Sequence, residues 1–523
     1  MKKKVILFGI DGATWNILDK YISDGSLPTF EYLIHNGVKG TLVSTFPMVT
    51  LPSWTSIFTG VNPGKHGITD FILQLDGRFV LANSKYRKAE SLWQILSRHD
   101  HASIVVNDPS AFPPEKIKGV MTTGLITPPN SNYVYPPQLK NEIERIADGY
   151  MSDLPVEYYQ IISKDKGKAY NMIEQSAAKI SKVTQHLAQN YEWTVLAPIF
   201  TSTDKLQHFY WFDESYIRKH YMFIDRCLKD FLDIASAEEA QICIVSDHGF
   251  GPLNKALYIN TWLSKIGLQK IKRNDMLSFM TKLGLTRSQL IWLLRRMKLY
   301  NTAYNFAKRF TNFTEMALFF DKPIDFENSL AYSEAEGIYI NKKLAKERYH
   351  EVREQIITEL HKIIDDGLPI VEKVFRREEV VWGPYTDRAS DLFVILREGY
   401  IFRYWSDAES KNDGQEIKEA KGLKGETAET GGHRPEGIFA AYGPGIRKNV
   451  TLNRFIHTWD VVPTILHLLE LPIPSYIDGR VLSELFSNDG EFAERSIKQE
   501  LVSEREKIRE RLKNITEAGY HPK

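Results

Sequence analysis

The sequence predicts an α/β fold: a largely parallel central sheet flanked by helices, with helical insertions forming a cap. Three observations predict its core. Short apolar, β-rich runs recur, each followed by a polar loop and then a helical pattern. Val5–Ile10 precedes IDGATW, His101–Val106 precedes NDPSAF, Thr194–Phe200 precedes TSTD, Gln241–Val245 precedes SDHGFG, and Ile438–Tyr442 precedes GPGI. Continuous apolar strands alternating with helices mark a sheet covered on both faces. A chain of 523 residues, 43% hydrophobic and 25% charged, lies in the globular range and can bury a large core, which excludes disordered, collagen-like and coiled-coil readings. Finally, Asp11, Asp204 and Asp247–His248 each fall just past an apolar run, where sheets of this kind hold their ligands.

Along the chain, the run Val5–Ile10 is only six residues long and ends at Asp11. That is too short for a signal-peptide core or a membrane span. The uncharged stretch Gly40–Gly64 is long enough to span a bilayer but holds Pro47, Pro52, Pro63 and eight Ser/Thr, so it reads as loop-rich, with a helix from about Ser53. Pro128 to about Asn190 is polar and mostly helical, with an amphipathic stretch over Lys164–Gln189, and reads as an insertion. Residues 255–320 read as a basic helical cap, after which the alternating pattern resumes. The expected division is a catalytic domain over 1–254 and 321–484, carrying the 128–190 insertion, and a charged amphipathic C-terminal helix over 485–523.

Net charge is +1, which gives no reason to expect specific nucleic-acid binding. The balance is uneven: Lys255–Phe310 holds twelve Lys/Arg and one acid, Asp275. Three readings of that block stand side by side: a solvated cap face, a lid that draws a polyanion toward the strand ends, or a basic amphipathic surface (Trp262, Leu290, Trp292, Leu293, Leu294, Met297) lying on an anionic membrane. Two cysteines, Cys227 and Cys243, exclude a disulfide framework and a thiolate cluster. A soluble, reducing, cytoplasmic setting is expected.

Six side chains carry the functional signal. Asp204 and His208 in TSTDKLQHF stand at i and i+4, so on a helix they share one face and can grip one ion. Asp247 and His248 are adjacent at a strand end, Asp11 ends the first strand, and His433 sits in the Gly-rich turn GGHRPEG. Three Asp and three His form a mixed O/N donor set suited to Zn²⁺ or Mn²⁺. A Thr before a Leu-Pro turn would place a hydroxyl at a helix N-terminus, where free N–H groups favour phosphate. From composition alone, any of the eight Ser/Thr of Gly40–Gly64 fits that role.

The segments FGIDG, TLPSWTSIFTG–NPGKHGI, TDKLQH, SDHGFG and GGHRPEG, in this order, resemble the alkaline phosphatase superfamily, and within it the type I phosphodiesterase/nucleotide pyrophosphatase branch and its predicted phosphohydrolase/phosphomutase group. The resemblance runs from Lys4 to about Leu482 and includes the closing segment DVVPTILHLLELPIPSYIDGRVL. It implies two divalent cations, one held by Asp11, Thr50, Asp247 and His248, the other by Asp204, His208 and His433. It makes Thr50 the nucleophile. Where the branch carries an Asn three residues on, this chain has Ser53, and Arg434 is the candidate replacement for its phosphate contact.

The chemistry so implied is a two-metal hydrolysis of a phosphodiester or pyrophosphate bond through a phosphothreonine. The substrate would be a small phosphorylated molecule, nucleotide-like or lipid-linked. Phosphomutase, phosphotransferase and phosphomonoesterase activity on the same site are the alternatives. A sulfatase is disfavoured because the C/S-x-P-x-R setting is missing at the nucleophile position, and the phosphoglycerate mutase branch because its Ser-centred motif is absent. His66 reads as structural.

Overall fold

The computed structural model describes residues 3–75, 78–150, 152–155, 157–270, 324–335, 337–403, 416–419, 429–487 and 490–501. Its centre is a ten-stranded sheet. From one edge the strands run Val450–Thr451, Val38–Val43, Glu436–Tyr442, Gln241–Val245, Val5–Ile10, Val195–Phe200, Ser103–Asp108, Gly119–Thr123 and Val134–Tyr135, with Ile456–His457 also paired to Val38–Val43. The middle pairs, from Gln241–Val245 through Val5–Ile10, Val195–Phe200 and Ser103–Asp108 to Gly119–Thr123, are all parallel. Glu436–Tyr442 departs from that direction, running antiparallel to both of its neighbours.

Strand Val5–Ile10 shows why its apolar run is continuous. All six residues are buried. Ile6, Phe8 and Ile10 point into one core and Val5 and Leu7 into another on the opposite face, as the two-residue period of a strand requires. The first core is covered by helices that include Lys166–Asn190 and Glu214–Ala237, the second by Thr50–Thr59, Leu92–Arg98 and Val461–Leu468. Helix Lys166–Asn190, expected within an insertion, instead buries Ile173, Ala177, Ile180 and Leu187 against the sheet. It is the crossover that a following parallel strand, Val195–Phe200, needs.

A second unit departs from the sheet after His248. Strand Gly249–Tyr258 runs through the expected cap boundary at 255 and pairs with Gly399–Arg403, Ile417–Glu419 and Gly431–Arg434. Strands Ala331–Ala335, Gly337–Ile340, Leu392–Leu396 and Val371–Arg376 form a separate sheet with its own core, packed with helix Tyr349–Leu360. Residues 324–403 therefore belong with a cap and not with the central sheet, because a strand's local pattern does not say which sheet it joins. Trp262 is buried in this cap core, and Lys255 and Lys265 are paired with Asp365 and Glu416 at 2.6 and 2.7 Å. Trp262 is thereby withdrawn from a membrane-facing surface, while Lys265 stays exposed; the rest of the basic block, from 271 to 320, lies outside the described residues. No helix among the described residues is long and apolar enough to cross a membrane.

The expected C-terminal helix over 485–523 differs where it is described. Residues 491–494 make one helical turn, and Gln499–Glu500 is a strand paired with Ile473–Pro474. Residues 502–523 lie outside the described chain.

Candidate metal centre

The carboxyl ends of the parallel strands converge on one cluster. Asp11 follows Val5–Ile10, and Asp247 and His248 follow the neighbouring strand Gln241–Val245; all three are at most 1% exposed. Gly12, at φ 71°, turns the chain so that its N–H donates to Asp247 Oδ1 at 3.2 Å. Trp54 Nε1–H donates to Asp11 Oδ2 at 3.0 Å. These bonds leave Asp11 Oδ1, Asp247 Oδ2 and His248 Nε2 buried with no hydrogen-bond partner, and the three groups offer ligand atoms within 4.8 Å of one another. Buried polar atoms are normally satisfied, and two carboxylate oxygens facing one imidazole nitrogen fit a divalent cation.

The second set lies beside it. Asp204 and His208 share one face of helix Ser202–Tyr210, with His208 Nε2 3.3 Å from Asp204 Oδ1. His433 Nε2 reaches Asp204 Oδ1 at 3.2 Å and His208 Nε2 at 3.1 Å. His433 Nδ1 lies 2.8 Å from the Met48 carbonyl and His208 Nδ1 3.3 Å from that of Gly431. A carbonyl only accepts, so each Nδ1 carries a proton and the two Nε2 atoms, 3.1 Å apart and both beside Asp204 Oδ1, are the nitrogens placed to hold a cation. His248 stands between the sets, its ring stacked on His433 at 3.8 Å and within ligand reach of Asp204 and His433.

His433 arrives differently from the expectation. It is in strand Gly431–Arg434, opposite Phe250 in an antiparallel ladder, and not on a free turn. Gly431 permits that approach, since a Cβ there would sit 2.4 Å from the Gln207 carbonyl.

Electrostatics follow burial. Desolvation, reinforced by Asp204, pushes Asp11 up to about 7, and desolvation with Asp11 beside it raises Asp247 well above the carboxylate range. Burial and the neighbouring His433 hold His248 well below its ordinary value, so its imidazole is neutral. At Asp204 burial is outweighed by His208 and His433, which keep its carboxyl low.

A cavity of about 270 Å³ opens onto this cluster, lined by Asp11, Thr50, Asp204, His208 and His433 together with Lys205, Glu429, Tyr159, Phe71 and Phe209. Thr50 is the first residue of helix Thr50–Thr59, which begins one turn earlier than the expected start at Ser53. Its first turn leaves the Thr50 and Leu51 amides without helical partners. Ser53 is fully buried one turn on, and its hydroxyl bonds those of Ser44 and Thr45, each at 2.8 Å. It does not reach the cavity. Arg434 alternates with His433 along its strand and points the other way, donating to the Leu396 carbonyl at 3.0 Å. His66 is buried and bonded to Ser56 and the Ile68 amide, a structural role. Lys205 and Glu429, missed from the sequence, are on the cavity wall. Lys205 was signalled by its place between two ligands in TDKLQH, whereas Glu429 gave no local sign.

Strand-end ligands around a cavity with a hydroxyl at a helix N-terminus define a metal-dependent hydrolase of phosphoric esters. The sequence matches the type I phosphodiesterase/nucleotide pyrophosphatase family over residues 5–425, and the chain belongs to that family. Among solved structures, phosphonoacetate hydrolase from Sinorhizobium meliloti, in complex with phosphonoformate, aligns at a TM-score of 0.52 and 15% identity over 90% of this chain and 95% of its own, showing the shared fold. Murine ectonucleotide pyrophosphatase/phosphodiesterase 5 aligns over 93% of this chain and 100% of its own at 15% identity and a TM-score of 0.49. A curated relative, a putative extracellular sulfatase Sulf-1 homolog of Caenorhabditis elegans, is 45% identical over 47 residues; the match spans 9% of this chain and 7% of that protein.

Proposed function

We propose that this phosphohydrolase cleaves a phosphodiester or pyrophosphate bond through a phosphothreonine on Thr50, with two divalent cations, Zn²⁺ or Mn²⁺, held by Asp11, Asp247 and His248 and by Asp204, His208 and His433. The observation that carries the reading is the convergence of three orphaned buried ligand atoms, Asp11 Oδ1, Asp247 Oδ2 and His248 Nε2, on a cavity that Asp11 and Thr50 both line. When bound, the cations would lower the pKa of the Thr50 hydroxyl and neutralise charge on the entering and leaving oxygens. Thr50 Oγ1 forms a bond to phosphorus as the ester P–O bond breaks; the leaving oxygen departs with the bonding electron pair and takes a proton from solvent, to which the Thr50 hydroxyl proton is released. Water then adds to phosphorus, the Oγ1–P bond breaks, and Thr50 regains a proton. The Thr50 and Leu51 amides donate to phosphoryl oxygens at the helix N-terminus. Phe71, Tyr159 and Phe209 give the cavity an aromatic wall, which favours an organic group esterified to the phosphate. Two buried free thiols, Cys227 and Cys243, support a reducing, cytoplasmic setting.

Thr50→Ala tests the assignment. Turnover of bis(p-nitrophenyl) phosphate should fall by about 10⁴-fold or more while metal content stays at the wild-type level; retained turnover removes Thr50 from the reaction. Turnover in ¹⁸O-water should place solvent oxygen in the released phosphate, and its absence would mean transfer to an acceptor.

A further inference from the structure

The charge on the cavity wall is lopsided. Asp11, Asp204 and Glu429 are the carboxylates, His208 and His433 the imidazoles, and Lys205 is the one ammonium among the described lining residues. Lys205 follows Asp204 on helix Ser202–Tyr210, about 100° around the axis, so it stands beside the row that holds Asp204 and His208. Its side chain is 13% exposed, yet its ion-pair partner, Asp153 Oδ1, lies at 3.7 Å, longer than a hydrogen bond. Glu429 is committed elsewhere, to Arg403. A lysine this enclosed is ordinarily held by close acceptors, and its three donors call for them.

The hydrogen-bond donors that the sequence offered for the phosphate are turned away. Arg434 donates to cap carbonyls, and Ser53 is spent on Ser44 and Thr45. We infer that Lys205 binds a non-bridging oxygen of the substrate phosphoryl group, supplying the donor that Ser53 and Arg434 do not. The inference rests on the phosphohydrolase reading above, and it makes the residue after the first helical metal ligand a substrate-binding one. Asp153 keeps the ammonium near the cavity at long range, and an arriving phosphate oxygen completes its hydrogen bonding.

The test uses the metal-loaded full chain and inorganic phosphate as the probe. By calorimetry, Lys205→Met should weaken phosphate binding about 10- to 100-fold, the loss expected of one charge-assisted hydrogen bond. Metal stoichiometry and thermal midpoint should stay at wild-type values, and Lys205→Arg should recover part of the affinity. Unchanged phosphate affinity in Lys205→Met overturns the inference. A measurement on the unmodified protein stands beside it. Saturating phosphate should slow acetylation of Lys205 severalfold by mass spectrometry, while exposed Lys166 reacts at the same rate; equal acetylation with and without phosphate also overturns the inference. Loss of the phosphohydrolase reading would look different. The wild type would then bind phosphate through Lys205 but turn over no phosphoric ester with Zn²⁺ or Mn²⁺.

Discussion

The two ligand sets differ in how the chain builds them. Asp11, Asp247 and His248 come from adjacent parallel strands and are at most 1% exposed, with one ligand atom on each left bare. Asp204, His208 and His433 come from a helix and from a strand that follows the cap. They border the cavity, with side chains 8 to 20% exposed. The inner set is laid down by the sheet itself; the outer set depends on the ladder between Gly249–Pro252 and Gly431–Arg434. The inner site, which reaches the cavity through Asp11 alone of its three ligands, should hold its cation more tightly and exchange it more slowly than the outer site, all of whose ligands line the cavity.

Removing a ligand from each set breaks the comparison most sharply. Asp247→Asn and Asp204→Asn should each lose one metal equivalent and about 10³-fold or more in kcat. Wild-type protein dialysed against a weak chelator should lose the outer equivalent first, as read by metal analysis; simultaneous loss of both would erase the distinction. A milder change sharpens it. Trp54→Phe removes the donor to Asp11 Oδ2, and loss of such a supporting bond should weaken inner-site affinity about 10- to 100-fold while sparing the outer site. The smallest effect is a pH trend in chelator-treated protein. Asp11 is raised from 3.8 to about 7 by burial and Asp204, so between pH 4 and 7 the folded state binds more protons than the unfolded one. Stability of the metal-free chain should fall as pH rises across that window. The added stability on metal binding should grow across it, as melting with and without Zn²⁺ would show. A flat difference would mean that Asp11 ionises freely in the metal-free protein.

Much of the inner set was legible because it sits where apolar runs stop. Val5–Ile10 and Gln241–Val245 were read to the residue, and each ends at a ligand. Asp204 and His208 were legible because the helical period puts them on one face. His433 was singled out from its Gly-rich turn, but the strand that delivers it was not readable locally, since its place depends on pairing with Phe250. Ser53 was misjudged because the helix begins at Thr50, which turns Ser53 toward Ser44 and Thr45. Arg434 failed on strand alternation. The cap was cut too short because strands such as Leu392–Leu396 have the same apolar pattern as those of the main sheet.

The ladder carrying His433 also sets an order of assembly. His433 follows His248 by 185 residues, and the cap is folded from the chain between them. Closing so long a loop costs entropy and time. Asp11 and Asp247 close a still longer span, but that span contains no cap segment, so the inner ligands can meet while the cap is still unmade, whereas the outer triad is complete only once Gly431–Arg434 has returned to Gly249–Pro252. Capacity for the second cation thus reports that the ladder from Gly431–Arg434 to Gly249–Pro252 has closed, and a chain stalled before that point would be half-loaded and inert.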